Sequence, residues 1–477
     1  MGKDFFTEMA SGLPRQLTAG SADGSNIAIT CSHVLRLLPG KRLTCDGSYE
    51  GNGKRVNAII KVFSGDLAGR RRFNKEVRNL QRLAELNMPV PRLYYSGACE
   101  EGFYVFVMEN LENGISLADK LPDMSAPNSA DENLFSLLSL LSSMHSKGIY
   151  QKDLHLGNFI KTERGIFVID VADIKFRRGG LSKFKALSQL GILLTQFPDQ
   201  GRNEKEQLWQ HYCDQRSWPF DTRDIDILER KIHRHKVKSV HRTLKKYLRN
   251  NSRHCSRKSG GIRFVVDKAF TDDNGFEKLV RNIDQRMEEG NVFKKGNTCF
   301  VSSFEYNGEK VIVKRYNYKG LLHALRTSLK GSRARHSWIQ GHRLRMFHIN
   351  TPEPVAFLEI RKCGVITNSY IITRYVEGNK LKEYLDKIDP AKQKENIREV
   401  CHLLERLRKC NIVHGDLKES NILITNDGPQ LIDLDSTKVI PLLGKSNRFY
   451  KKDSRRFLKN WADWPEIADY IPAMEKD

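Results

Sequence analysis

The sequence predicts an α+β protein made of two bilobal modules in tandem, each a β-rich lobe joined to a larger helical lobe. Three observations lead there: the length, an internal repeat, and the order of apolar patterns within each copy. A chain of 477 residues is too long for one ordinary core. Its 39% hydrophobic and 29% charged content belongs to a folded chain, not a disordered one.

The repeat is clearest in Gln151-Lys152-Asp153-Leu154-His155-Leu156-Gly157-Asn158 and His414-Gly415-Asp416-Leu417-Lys418-Glu419-Ser420-Asn421, where an Asp precedes an Asn by five residues. The offset of 263 that carries Asp153 onto Asp416 also carries Asp170 onto Asp433, and Met88-Pro89-Val90-Pro91 onto Thr351-Pro352-Glu353-Pro354, with no gap. Upstream, each copy has a β-rich run with one lysine, Ala58-Ile59-Ile60-Lys61-Val62-Phe63 and Val311-Ile312-Val313-Lys314-Arg315-Tyr316; the second copy has ten extra residues between lysine and prolines.

After the prolines come strand-like runs, Phe103 to Met108 and Tyr370 to Thr373, and then the helical periodicity of Leu134, Phe135, Leu137, Leu138, Leu141 and Met144. The expected domains are residues 1–258, with motifs in 31–175 and a basic helical segment at 228–258, and residues 259–477. The junction Ser256-Arg257-Lys258-Ser259-Gly260-Gly261 reads as a linker.

Each copy holds the parts that phosphoryl transfer requires, namely charge neutralisation, metal binding and aim. A strand lysine, Lys61 or Lys314, suits the α and β phosphates of ATP. An Asp beside the nucleophile, Asp153 or Asp416, suits a catalytic base, and the Asn five residues on, Asn158 or Asn421, suits Mg²⁺. Asp170 or Asp433, read as lying on a short apolar strand, suits the principal metal ligand, because hard Mg²⁺ prefers carboxylate and phosphate oxygen. One such residue alone is more often a turn former, a cap or a solvated side chain. Four in this order, twice, are not.

Val313 to Asn317, Ser332-Arg333-Ala334-Arg335-His336-Ser337-Trp338, Asn350 to Pro354, Ile412 to Asn421 and Ile432-Asp433-Leu434-Asp435-Ser436 resemble the lipopolysaccharide core heptose and Kdo kinases, a branch of the protein-kinase-like fold. In the first half, His33 to Leu43 and Asp153 to Phe159 are similar to the same group. The resemblance covers residues 31–175 and 290–440 and is more specific in the second half. It implies ATP and Mg²⁺ as cofactors. It also implies a lipopolysaccharide core glycolipid as acceptor, phosphorylated on an inner-core sugar at the inner leaflet.

The copies differ. Gln151-Lys152 stands where the second has His414-Gly415. Glu76, in Phe73-Asn74-Lys75-Glu76-Val77, is placed to pair with Lys61, or else is a solvated helix carboxylate; the 263 offset puts Ile339 there in the second copy, leaving the partner of Lys314 open. Cys45 to Gly51 and Lys294 to Phe300 occupy the place of a phosphate-covering hairpin, though single glycines there also serve as plain turns. Asp435 either helps hold metal or caps a turn, and His155 and His414 read as structural.

A net charge of +23 favours anionic partners, and much of it lies between Lys231 and Lys258, which suits an anionic inner-leaflet surface. Only Tyr247 offers base stacking in that basic run, so nucleic acid is not expected. No run of eighteen apolar residues occurs, and Met1-Gly2-Lys3-Asp4-Phe5-Phe6 is no signal peptide, so a cytoplasmic protein, peripheral on the inner membrane, is expected. Nine scattered cysteines without a C-x-x-C pair read as reduced thiols. Rival readings are a small-molecule or Ser/Thr protein kinase of the same fold, and one active module beside a non-catalytic scaffold.

Overall fold

The computed structural model describes residues 4–20, 26–51, 54–120, 129–197, 201–271, 273–318, 331–440 and 446–461; the opening Met1-Gly2-Lys3 lies outside them. The chain divides into two compact units, Met1–Lys236 and Val237–Asp477. The division therefore falls inside the helix Arg223–Lys246 and not near residue 258. The reason is that Val240 and Leu244, on the last turns of that helix, are buried in the core of the second unit. The expected linker is a β-hairpin of the same unit: His254–Ser259 pairs with Ile262–Asp267 across Gly260 and Gly261, whose φ values are +56° and +76°. Two consecutive positive φ angles are what a two-residue hairpin turn of type I′ demands, and glycine adopts them at no steric cost.

The first unit opens on a six-stranded antiparallel sheet in the order Arg15–Gly20, Asn26–Leu38, Arg42–Gly51, Lys54–Phe63, Tyr104–Glu109, Leu93–Ala98. Alternation along Lys54–Phe63 turns Ala58, Ile60 and Val62 to one packed face, which leaves Ile59, Lys61 and Phe63 on the other. That second face meets the helix Leu67–Glu85, started by Asp66, whose side chain accepts the Gly69 N–H. Phe73, Glu76, Leu80 and Leu83 recur at helical spacing and are its buried stripe. The helix Ser129–Ser146 buries Leu134, Leu137, Leu138, Leu141 and Met144 against Leu187, Leu190, Trp209 and Tyr212 of the helices that follow.

In the second unit a seven-stranded antiparallel sheet runs His254–Ser259, Ile262–Asp267, Pro354–Lys362, Val365–Arg374, Glu309–Asn317, Cys299–Tyr306, Asn291–Lys295. Val311 and Val313 face one core, and Lys314 and Tyr316 the opposite side, toward the helix Arg333–Met346. Below lies the helix Pro390–Lys409, with Asp389 as its cap and Ile397, Val400, Leu403, Leu404 and Leu407 buried. Among the described residues no helix is long and apolar enough to cross a membrane, and all nine cysteines are free.

Candidate active site

Both catalytic-type loops sit on the same scaffold. Each begins after a short strand, Ile149–Gln151 or Ile412–Val413, and ends in a 3₁₀ turn, Leu156–Asn158 or Glu419–Asn421. The Asn amide then reaches back to the carbonyl of the Asp, Asn158 Nδ2 to Asp153 O at 3.1 Å and Asn421 Nδ2 to Asp416 O at 2.8 Å. The Asn carbonyl in turn accepts the N–H of the residue before the last Asp, Ile169 at 2.9 Å and Ile432 at 3.0 Å. The proline turn is bonded to the neighbouring strand, Val168 N to Pro89 O in one unit and Leu431 N to Asn350 O in the other. These closures tie each loop to the strand that precedes the last Asp, so the Asn and that Asp are held on one backbone frame in both units.

The last Asp is not on a strand. Gly165–Val168 and Gly428–Leu431 each stop two residues short of it. Asp433 takes a left-handed conformation (φ 61°, ψ 58°) and opens the 3₁₀ turn Leu434–Ser436, so Asp435 does not share a strand face with it. Asp435 is bonded to the Arg333 guanidinium and lies 3.8 Å from Lys314 Nζ.

The two lysines find different partners. Lys61 Nζ is 2.8 Å from Glu76 Oε2 and Arg42 Nη1 is 2.5 Å from Glu76 Oε1, with Lys61 and Glu76 both buried. Lys314 Nζ bonds Asp433 Oδ1 at 2.5 Å. Burial pulls the Asp433 carboxyl upward, but the charge and hydrogen bond of Lys314 more than offset it, holding the group below the usual carboxylate range. Burial likewise works against the Lys314 ammonium, and Tyr316, Asp433 and Asp435 outweigh it, so the lysine pKa is raised. The Tyr316 hydroxyl, bonded to Ser337 Oγ at 3.1 Å, is pushed up to about 12 by burial.

In the second unit Lys314, Asn421 and Asp433 line one cavity of about 440 Å³, together with Val301, Ile312, Leu423 and Ile432. Apolar walls with a few convergent polar groups suit a planar base beside a polyphosphate. The hairpin whose strands bring Phe293 and Val301 to this cavity turns at Gly296-Asn297-Thr298, within the expected segment. In the first unit the corresponding turn is Pro39-Gly40-Lys41; Cys45 to Gly51 instead runs along a strand. The first cleft, about 570 Å³, is lined by Arg36, Lys41, Arg42, Arg72, Lys75, Glu76, Asp153, Asn158 and Asp170. Among the described residues no three His, Cys, Asp or Glu side chains cluster as a metal cage. A carboxylate and an amide oxygen per cleft fit Mg²⁺, which is usually held by one or two carboxylates plus substrate phosphates.

His414 is buried and its Nε2 donates to Ile432 O at 2.9 Å, while His155 Nδ1 accepts the Gly157 N–H at 3.0 Å. Three residues given no part by the sequence reading enter the second site. Arg333 holds Asp435, and Asp453 and Arg456, both on the helix Ser446–Leu458, hold the Gly415-Asp416 segment. Arg333 lies in the run that carried the family resemblance; nothing in the sequence marks the other two among the surrounding lysines and arginines.

A β-rich lobe with a buried lysine, over a helical lobe with a catalytic-type loop and a following Asp, defines a protein-kinase-like phosphotransferase. The family model described as "Lipopolysaccharide kinase (Kdo/WaaP) family" matches residues 45–188 and 284–466, more than half of the chain. The chain belongs to that family. It is also similar to the KEOPS complex subunit Bud32 of Pyrococcus abyssi, 36% identical over 66 residues, which is 14% of this chain and 30% of that protein, so it spans less than a third of that relative's length. Solved structures similar to it include the PknI kinase domain of Mycobacterium tuberculosis, at 16% identity and a TM-score of 0.29 over 45% of this chain and 96% of that one. A point mutant of the same kinase domain matches at 14% identity and a TM-score of 0.28, over 45% and 99%.

Proposed function

We propose that this kinase transfers the γ-phosphoryl group of ATP to a heptose or Kdo hydroxyl of the lipopolysaccharide inner core, with the second unit as its main catalytic centre. The observation that carries the reading is the convergence of Lys314, Asn421 and Asp433 on one apolar-walled cavity, with Asp416 hydrogen-bonded to Asn421 at its edge. In this reading Lys314 holds the ATP phosphates, and Asp433 and Asn421 hold Mg²⁺, which when bound neutralises phosphate charge. Asp416 aims the acceptor hydroxyl and takes its proton. Lys61, Glu76, Asp153, Asn158 and Asp170 have the corresponding roles in the first unit. A scaffold role for that unit is favoured by one feature: Asp153 is exposed, and its carboxylate has no side-chain partner among the described residues.

The acceptor is a glycolipid, so the protein works at an anionic inner-leaflet surface, with Lys245, Lys246 and Arg249 exposed to meet it. Asp416→Asn in an Asp153→Asn background should cut transfer to purified lipopolysaccharide about 10²- to 10⁴-fold. Mass spectrometry of core oligosaccharide from a deletion strain should show one phosphate fewer. Wild-type transfer by the double variant would refute the assignment of the base, and an unchanged core would refute the acceptor.

A further inference from the structure

Arg456 reaches the catalytic loop of the second unit from outside it. On the helix Ser446–Leu458, Asp453 and Arg456 lie three residues apart and so share a face. The Gly415 N–H donates to Asp453 Oδ1 and Oδ2 at 3.1 and 2.9 Å, while Arg456 Nη1 donates to Gly415 O at 2.9 Å. The same Nη1 donates to Asp416 Oδ1 at 2.6 Å. One guanidinium nitrogen therefore ties the base to the carbonyl of the residue before it. The second oxygen, Oδ2, lies 3.4 Å from Asn421 Nδ2 and 3.5 Å from Lys418 Nζ, on the side of the cavity-lining Asn421.

We propose that Arg456 is a positioning residue for phosphoryl transfer: it occupies Oδ1 of Asp416 so that Oδ2 is the oxygen presented to the acceptor hydroxyl. The inference rests on the second unit being the transferase. As the hydroxyl oxygen bonds to the γ-phosphorus and the bond from that phosphorus to ADP breaks, the hydroxyl proton passes to Oδ2. An ion pair with hydrogen bonds on two successive residues limits rotation of the carboxylate, and misplacement by about 1 Å can cost on the order of 10²-fold in rate. In the first unit the helix next in order, Lys183–Leu194, contains neither an acid nor an arginine, so it supplies no such pair.

The test uses the full chain in the Asp153→Asn background, with γ-labelled ATP and purified lipopolysaccharide as acceptor. Arg456→Gln should lower kcat about 10- to 100-fold. It should leave the KM for ATP within about two-fold, since Arg456 is not among the residues lining the nucleotide cavity. Arg456→Lys, which keeps one cationic donor, should restore most of kcat. An unchanged kcat in Arg456→Gln overturns the proposal. So does a kcat loss accompanied by an equal rise in the KM for ATP and a fall in the thermal midpoint, or a lysine variant no better than glutamine. If the Asp153→Asn chain is itself inactive, the assignment to the second unit fails and the role of Arg456 fails with it. If Asp416→Asn inactivates while Arg456→Gln does not, only the role of Arg456 is lost.

Discussion

The first unit secures its lysine and leaves its loop Asp, Asp153, unheld, whereas the second secures its loop Asp, Asp416, and lets its lysine lean on Asp433. Glu76, on a helix facing the sheet, gives Lys61 a buried carboxylate. The helix Arg333–Met346 contains no acid, so Lys314 takes the carboxylates within reach, those of Asp433 and Asp435. In the catalytic loops the order reverses: Asp416 is gripped by Arg456, and Asp153 stands exposed. Asp433 is also left-handed while Asp170 is not, an uncommon conformation for a residue with a side chain. The same four residue types in the same order, the last three at the same spacing, thus give two differently wired sites. Neighbours outside the motif decide what each group touches.

The largest expected effect tests the buried pair. Removing one partner of a buried ion pair strands the other, which typically costs about 3–5 kcal/mol. Glu76→Ala should destabilise the first unit by that order, read as a lower urea midpoint for the transition reported by Trp209 and Trp218; an unshifted midpoint would mean the Lys61 pair is not structural. Gly415→Ala probes the second loop. Gly415 has φ +81°, and a Cβ there would lie 2.4 Å from Ser436 O. Left-handed strain alone costs roughly 1–2 kcal/mol, and the shift in loop should lower transfer more than ATP binding. The corresponding Lys152→Ala should change first-unit stability little.

Acid should separate the units further. Burial lowers the His254 pKa to about 4 and that of His342 well below 6.5 in the second unit, and takes His145 to about 3 in the first. These rings stay neutral when folded and take up protons when unfolded. Their contribution is therefore intact above pH 6.5 and is lost as pH falls from there toward the folded values, at about 1.4 kcal/mol per pH unit for each ring. Burial also lowers His336 in the second unit and His233 in the first, so urea midpoints followed from pH 7 to 5 should fall more steeply for the second unit, with three such rings against two; parallel slopes would contradict this. The last prediction concerns the surface. Replacing Lys245, Lys246 and Arg249 by glutamine should weaken sedimentation with phosphatidylethanolamine–phosphatidylglycerol vesicles by about 1 kcal/mol per charge at low salt, and hardly at all at high salt.

The sequence by itself determined the two copies, the family, and the order Lys, Asp, Asn, Asp, because those are fixed by local spacing. Backbone bonds between Asn158 and Ile169, and between Asn421 and Ile432, recur at equivalent places and close the segment from the Asn to the last Asp in each copy. The sequence left Glu76 open between a partner of Lys61 and a solvated carboxylate, and the packing of its helix selected the pair. Only the tertiary structure decided the partner of Lys314, the grip of Asp453 and Arg456 on the loop, and the division at Lys236 and Val237. These depend on which elements pack together over long separations. The hairpin at Gly260-Gly261 belongs with them: two glycines serve a flexible joint or a tight turn equally well, and pairing with the strand Pro354–Lys362, far along the chain, selects the turn.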